Sequence, residues 1–146
     1  MLTRRPPVIG NLRRSDPKCP HYYVYGLAIR REDLELRGQE LGFGSHNEFD
    51  RTSFALDDFY RRLNQFPEGN KELFRKCTIT TIRLKKKPEN RREGEPNFNI
   101  AYCVAIASNL NDDDFRFVDD EEAVKTIREL MGLQGAPGWY RHHHVR

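Results

Sequence analysis

At 146 residues the chain has the length of one domain with a single core, and its 37% hydrophobic, 11% aromatic and 32% charged residues suit a folded protein with a heavily solvated exterior. This balance excludes a disordered polyelectrolyte, and a mean hydropathy of −0.83 excludes a largely apolar protein. With 25 basic and 22 acidic residues the net charge is +3, too close to balance to indicate nucleic acid by itself.

Residues 1–20 contain Pro6, Pro7, Pro17 and Pro20 together with Arg4, Arg5, Arg13, Arg14 and Lys18, and read as an extended basic arm. A single α+β domain is expected over residues 21–146. It opens with a strand at about 22–29, in which Tyr23, Tyr25, Leu27 and Ile29 alternate with the smaller Val24, Gly26 and Ala28. A polar helix follows, with Leu34, Gly38 and Leu41 on one face. A turn around Gly42 and Gly44 leads into an amphipathic helix marked by Leu56, Phe59, Tyr60, Leu63 and Phe66, with Thr52 or Ser53 as the expected cap and Pro67 as the stop.

Residues 70–76 suit one short helical turn, and 77–86, rich in Thr and Ile, a second strand. The breaker-rich loop 87–97 joins it as a hairpin to a third strand at 98–108. There Phe98, Ile100, Tyr102, Val104 and Ile106 alternate with Ala101, Cys103, Ala105 and Ala107. Residues 115–118 fit a short edge strand. Asp119 with Glu122 resembles a capping box, Ala123, Val124, Ile127, Leu130 and Met131 form an apolar helical stripe, and Gly132 suits its end. The tail is expected to pack through Trp139 and Tyr140.

The order strand, helix, helix, strand, strand, helix predicts an α+β fold related to the ferredoxin-like arrangement. Its sheet has three or four mainly antiparallel strands, the third between the first and second, and helices on one face. The bulky side of the sheet should carry the helices. The other side, with Val24, Gly26, Ala28, Ala101, Cys103, Ala105 and Ala107, is apolar and needs a cover: the terminal arms, a second subunit, or a ligand walled by Tyr22, Trp139 or Tyr140.

Other candidate sites are weaker. Lys85, Lys86, Lys87, Arg91 and Arg92, joined by Arg4, Arg5, Arg13 and Arg14 from the arm, have the chemistry to neutralise a phosphate backbone, although Glu89, Glu93 and Glu95 equally suit a solvated hairpin tip. No Gly-x-x-Gly joins the first two helices to clamp such a backbone. The acids from Asp112 to Glu122 depart from the order of a calcium loop and read as solvated loop and helix cap. His142, His143 and His144 read as a mobile tail, because adjacent histidines splay apart. Cys103 reads as a buried packing residue, and nothing places His21 or His46 beside it. The odd, unclustered set of Cys19, Cys77 and Cys103 implies reduced thiols.

No motif identifies a reaction or a ligand, so no catalytic residue, metal or cofactor is expected. The composite expectation is a small non-enzymatic binding or protein-interaction domain that self-associates through its sheet face, as a homodimer or in a larger assembly. RNA or polyanion binding through the arm and hairpin is one alternative, and a small enzyme with a pocket on the small-residue face is another. No apolar run approaches the roughly 20 residues of a membrane-crossing helix, and the N-terminus lacks a signal-peptide core. A cytoplasmic or nuclear location without membrane partners is therefore expected.

Overall fold

The alternation of bulky and small residues produces strands, and the sheet they build closes on itself. A computed structural model describes residues 4–143, except for the side chains of Asp113 and Asp114. Strands β1 (Tyr23–Ile29), β2 (Thr78–Lys85), β3 (Phe98–Ser108) and β4 (Gly138–His142) form an antiparallel barrel in the order β1-β3-β2-β4. Helices α1 (Arg31–Glu40), α2 (Glu48–Leu63) and α3 (Lys71–Lys76) connect β1 to β2, and α4 (Glu121–Met131) lies between β3 and β4.

Closure depends on β4, a segment expected only as a packing tail. It pairs with β1 from Tyr23↔Arg141 to Gly26↔Gly138 and with β2 at Ile82↔His142 and Arg83↔Arg141. Its side chains alternate between two cores: Trp139 packs against Tyr25 and Phe115 among the helices, and Tyr140 turns inward. Residues 115–118 do not form the expected edge strand. They continue from a short 3₁₀ turn (Asp112–Phe115), and the Val118 N–H donates to the Phe115 carbonyl, so local bonds occupy backbone groups that a ladder would need.

The helix-side core gathers Tyr25, Leu27, Ile29, Val104, Ile106 and Trp139 with Phe59, Ile127 and Met131 from the helices. The inner cluster is smaller, with Val24, Ile82, Ala101, Cys103, Ala105 and Tyr140 flanked by Tyr22, Ala28 and Leu84. Small side chains suit it because a four-stranded barrel leaves little interior space. Between the cores the register of β1 on β3 shifts: Tyr25 faces Ala107 while Gly26 faces Ala105. Ile106 is the extra residue of this bulge, so Ala107 joins the helix-side core instead of the small-residue face. At the same crossing a Cβ on Gly26 would lie 1.9 Å from the Val104 carbonyl oxygen, which explains the glycine.

Two expectations about the bulky face also change. Ile100 is 57% exposed, and Phe98 sits half-buried under the Arg83 guanidinium, 4.4 Å from its ring centroid. Neither joins the helix-side core, and β1 ends opposite Tyr102, short of both. The cap of α2 is Asn47, whose side chain accepts from the Asp50 N–H at 2.8 Å; Thr52 lies inside the helix and donates back to the Glu48 carbonyl. Asp120, one residue later than expected, caps α4, which ends at Gly132 in the left-handed conformation (φ 67°).

A buried ionic network holds α1 in place. Arg37 reaches Asp58 at 3.1 Å and the Met131 carbonyl at 3.0 Å, while Arg61 and Arg62 also bond Asp58. Three guanidiniums thus surround one carboxylate, and Arg37 and Arg62 meet the carbonyl end of α4, where its dipole favours positive charge. Burial pushes the Asp58 carboxyl up, but the hydrogen bonds from Arg61, Arg62 and Arg37 and the Arg62 charge outweigh it and hold the group below the ordinary aspartate range.

Candidate functional site

Most of the small-residue face lies inside the barrel. Val24, Gly26, Ala101, Cys103, Ala105 and Tyr140 are buried, Tyr22 and Ala28 are half-buried, and the cover comes from β4 and from Ile82 of β2. Trp139 and Ala107 belong to the opposite core. Self-association through these residues would require opening the barrel. Burial raises the Cys103 thiol far above its ordinary value and pushes the Cys77 thiol up to about 12, so neither forms a thiolate at neutral pH. Burial likewise raises the Tyr140 phenol, and the positive charge of the nearby Arg30 guanidinium opposes the shift.

Arg30 stands at the end of the barrel where the chain leaves an opening. β1 stops at Ile29 and the backbone turns at once into α1, whose cap residue Arg30 has an extended conformation and donates its N–H to the Asp33 carboxylate at 2.8 Å. β2 and β3 run further, pairing down to Lys85↔Phe98. The hairpin therefore projects past the start of α1, and a cleft of about 510 Å³ lies between them.

Among the described residues five cationic side chains line this cleft, Arg30 and Arg31 from the helix side and Lys85, Lys86 and Lys87 from the hairpin, against the one acid Glu32. Arg31 pairs with Glu48 and Lys86 reaches Glu95 at 3.6 Å; among the described residues Lys85 and Lys87 make no ion pair. The start of α1 adds its positive dipole end. Asn90, Asn99, Leu84, Ile100 and Ala101 complete the lining. Arg91 lies alongside, with its Nε donating to the Lys86 carbonyl at 3.3 Å, and Arg92 is exposed on the same loop.

The basic arm lies elsewhere. Ile9 is buried, and the N–H groups of Ile9 and Gly10 donate to the carbonyls of Asn109 and Leu110, just past the C-terminal end of β3. Asn109, itself fully buried, donates through Nδ2 to the carbonyls of Pro7 and His21 and accepts from the Tyr23 N–H. Arg5 covers the Phe115 ring at this end; Arg4, Arg13 and Arg14 are exposed. The eleven residues of β3, roughly 30 Å of strand, separate the arm from the hairpin tip, so the two basic segments form separate surfaces.

The histidine run is not wholly a tail. His142 closes β4, stacks on Tyr22 with ring centroids 4.7 Å apart, and places Nε2 at 2.7 Å from the Thr80 Oγ1; the His143 N–H donates to the Thr81 carbonyl, and His144 lies outside the described residues. No three His, Cys, Asp or Glu side chains among the described residues cluster as a metal site, and no described helix is long and apolar enough to cross a membrane.

Sequence reasoning found three of the five cations and missed Arg30 and Arg31. Their available signal was a basic pair directly at a strand-to-helix junction, and without the topology it could not be joined to the hairpin. No family model, curated protein or solved structure matches the chain.

Proposed function

We propose that the protein is a binding module for RNA or another polyanion and that the cleft between α1 and the β2–β3 hairpin is its contact surface. The observation that carries this reading is the convergence of Arg30, Arg31, Lys85, Lys86 and Lys87 on one recess with a single lining acid. Clustered cations of this kind bind a phosphate chain by releasing its condensed counterions, each contact on a single strand steepening the salt dependence by about 0.7 in log–log slope. The arm at the other end of β3 is not part of this surface.

Titrating a labelled RNA oligomer at several salt concentrations tests the proposal. Affinity should fall steeply as salt rises. A Lys85→Ala, Lys87→Ala double variant should weaken binding and flatten the slope by about 1–2. An Arg13→Ala, Arg14→Ala variant should bind as the parent does. Absent or salt-independent binding, or a loss confined to the arm variant, would overturn it.

A further inference from the structure

We infer that the occupant of this cleft is a single-stranded nucleic acid, its phosphates on the basic wall and its bases against the exposed start of β3. The inference rests on the polyanion reading and narrows it.

The barrel is open beside this cleft. β3 pairs with β2 down to Phe98, whereas its ladder with β1 ends at Tyr102, so residues 98–101 have no described strand beside them on the α1 side. An uncovered strand edge presents backbone donors and acceptors, which complement the hydrogen-bonding edges of unpaired bases. Asn90 and Asn99 add amides that both donate and accept.

The lining also has an apolar part. Leu84, Ala101 and the 57% exposed Ile100 lie among the cations. Polyphosphate or a sulfated polysaccharide carries charge but no planar apolar face to bury there. A base has one on each side, and Leu84 and Ile100 offer it apolar surface beside the positively charged groove that follows a single strand's backbone. A duplex keeps those faces stacked inside, and a cleft of about 510 Å³ has the size of a small-ligand site, not of a duplex groove partner. Phe98 is not assigned a stacking role, because Arg83 covers its ring and His143 stands 5.9 Å away.

An extended acidic peptide is the competing occupant, since it also pairs with a strand edge and with cations. The cleft's mixture of amides and apolar surface favours bases, and competition distinguishes them. A labelled single-stranded RNA or DNA oligomer bound to the full chain is displaced in turn by the unlabelled strand, the matching duplex, inorganic polyphosphate and poly-glutamate at equal charge concentration. The unlabelled strand should compete about tenfold better than any of the others. In Ile100→Ser, and separately in Asn99→Ala, this preference should shrink while polyphosphate affinity holds, with circular dichroism confirming the fold. Equal competition by polyphosphate overturns the inference and leaves the polyanion reading standing; stronger competition by duplex or poly-glutamate, or unchanged preference in both variants, also overturns it. Failure of every polyanion to bind removes both.

Discussion

The two parts of β3 share one sequence pattern and meet opposite fates. Over residues 102–108 the strand has β1 on one side and, over most of its length, β2 on the other, and Val104 and Ile106 are sealed beneath the helices; over 98–101 β2 is its only partner among the described strands, and Ile100 is 57% exposed. Alternation determines which way a side chain points, whereas the neighbouring elements determine whether anything packs on it. In this protein the sealed part supplies core stability, and the open part borders the basic cleft.

The sealed part should be the easiest to break. Gly26 lets β1 cross against the β3 bulge, and a Cβ at this position would stand only 1.9 Å from the Val104 carbonyl oxygen, a backbone clash that no rotamer relieves. Gly26→Val should therefore abolish cooperative folding, seen as loss of a thermal transition by circular dichroism. Normal melting in this variant would mean that the two strands can separate at the crossing without loss of the barrel.

The open part has its own support, because α1, which presents Arg30 and Arg31, is anchored through Arg37 and Asp58. Asp58→Ala leaves the buried Arg37 guanidinium without its Asp58 partner and should cost about 3–5 kcal/mol in denaturant unfolding. The acid response has a definite sign. The folded Asp58 pKa lies below its ordinary value, so its contribution is complete above the unfolded value of about 3.9 and disappears as pH falls through the lower folded one. Asp58→Asn should consequently flatten the loss of stability on acidification, and an unchanged acid profile would remove this role.

Ile106→Ala tests the sealed part without backbone strain. Ile106 is 1% exposed, and truncating such a side chain costs about 2–5 kcal/mol because the transfer and cavity contributions add. A cost below about 1 kcal/mol would show that the site collapses readily around the missing atoms.

What could be read from the sequence was local. The strands β1, β2 and β3, the stripe of α4 and the stop at Gly132 follow from short-range periodicity and backbone preference, and each has that form in the structure. β4 was obscured because its five residues follow directly on Pro137 and begin with Gly138, and their partners lie at the far end of the chain, as in Tyr23↔Arg141. Barrel closure, and with it the burial of Cys103 and Ala105, depends on that distant pairing. Nothing in the local pattern marks Arg37 or Asp58 as buried, since Arg37 is enclosed where α4 ends and Asp58 where α2 packs on α1. The cleft was half visible for the same reason: three neighbouring lysines form a pattern in sequence, while Arg30 and Arg31 join them only because β1 stops short of the start of β3.

That shortfall of β1 leads to the smallest and most discriminating effect. Ile100→Ala removes an apolar side chain from the same face and strand as Ile106, yet the side chain is mostly in water already and leaves no cavity. Its unfolding free energy should change by no more than about 0.5 kcal/mol, several-fold less than at Ile106. Paired denaturant melts of the two variants measure the contrast directly. Equal costs would mean that something packs on Ile100 in solution and that the lower part of β3 is closed; a silent Ile100→Ala beside a damaging Ile106→Ala would leave the start of β3 open, with an apolar side chain whose exposure contributes nothing to folding.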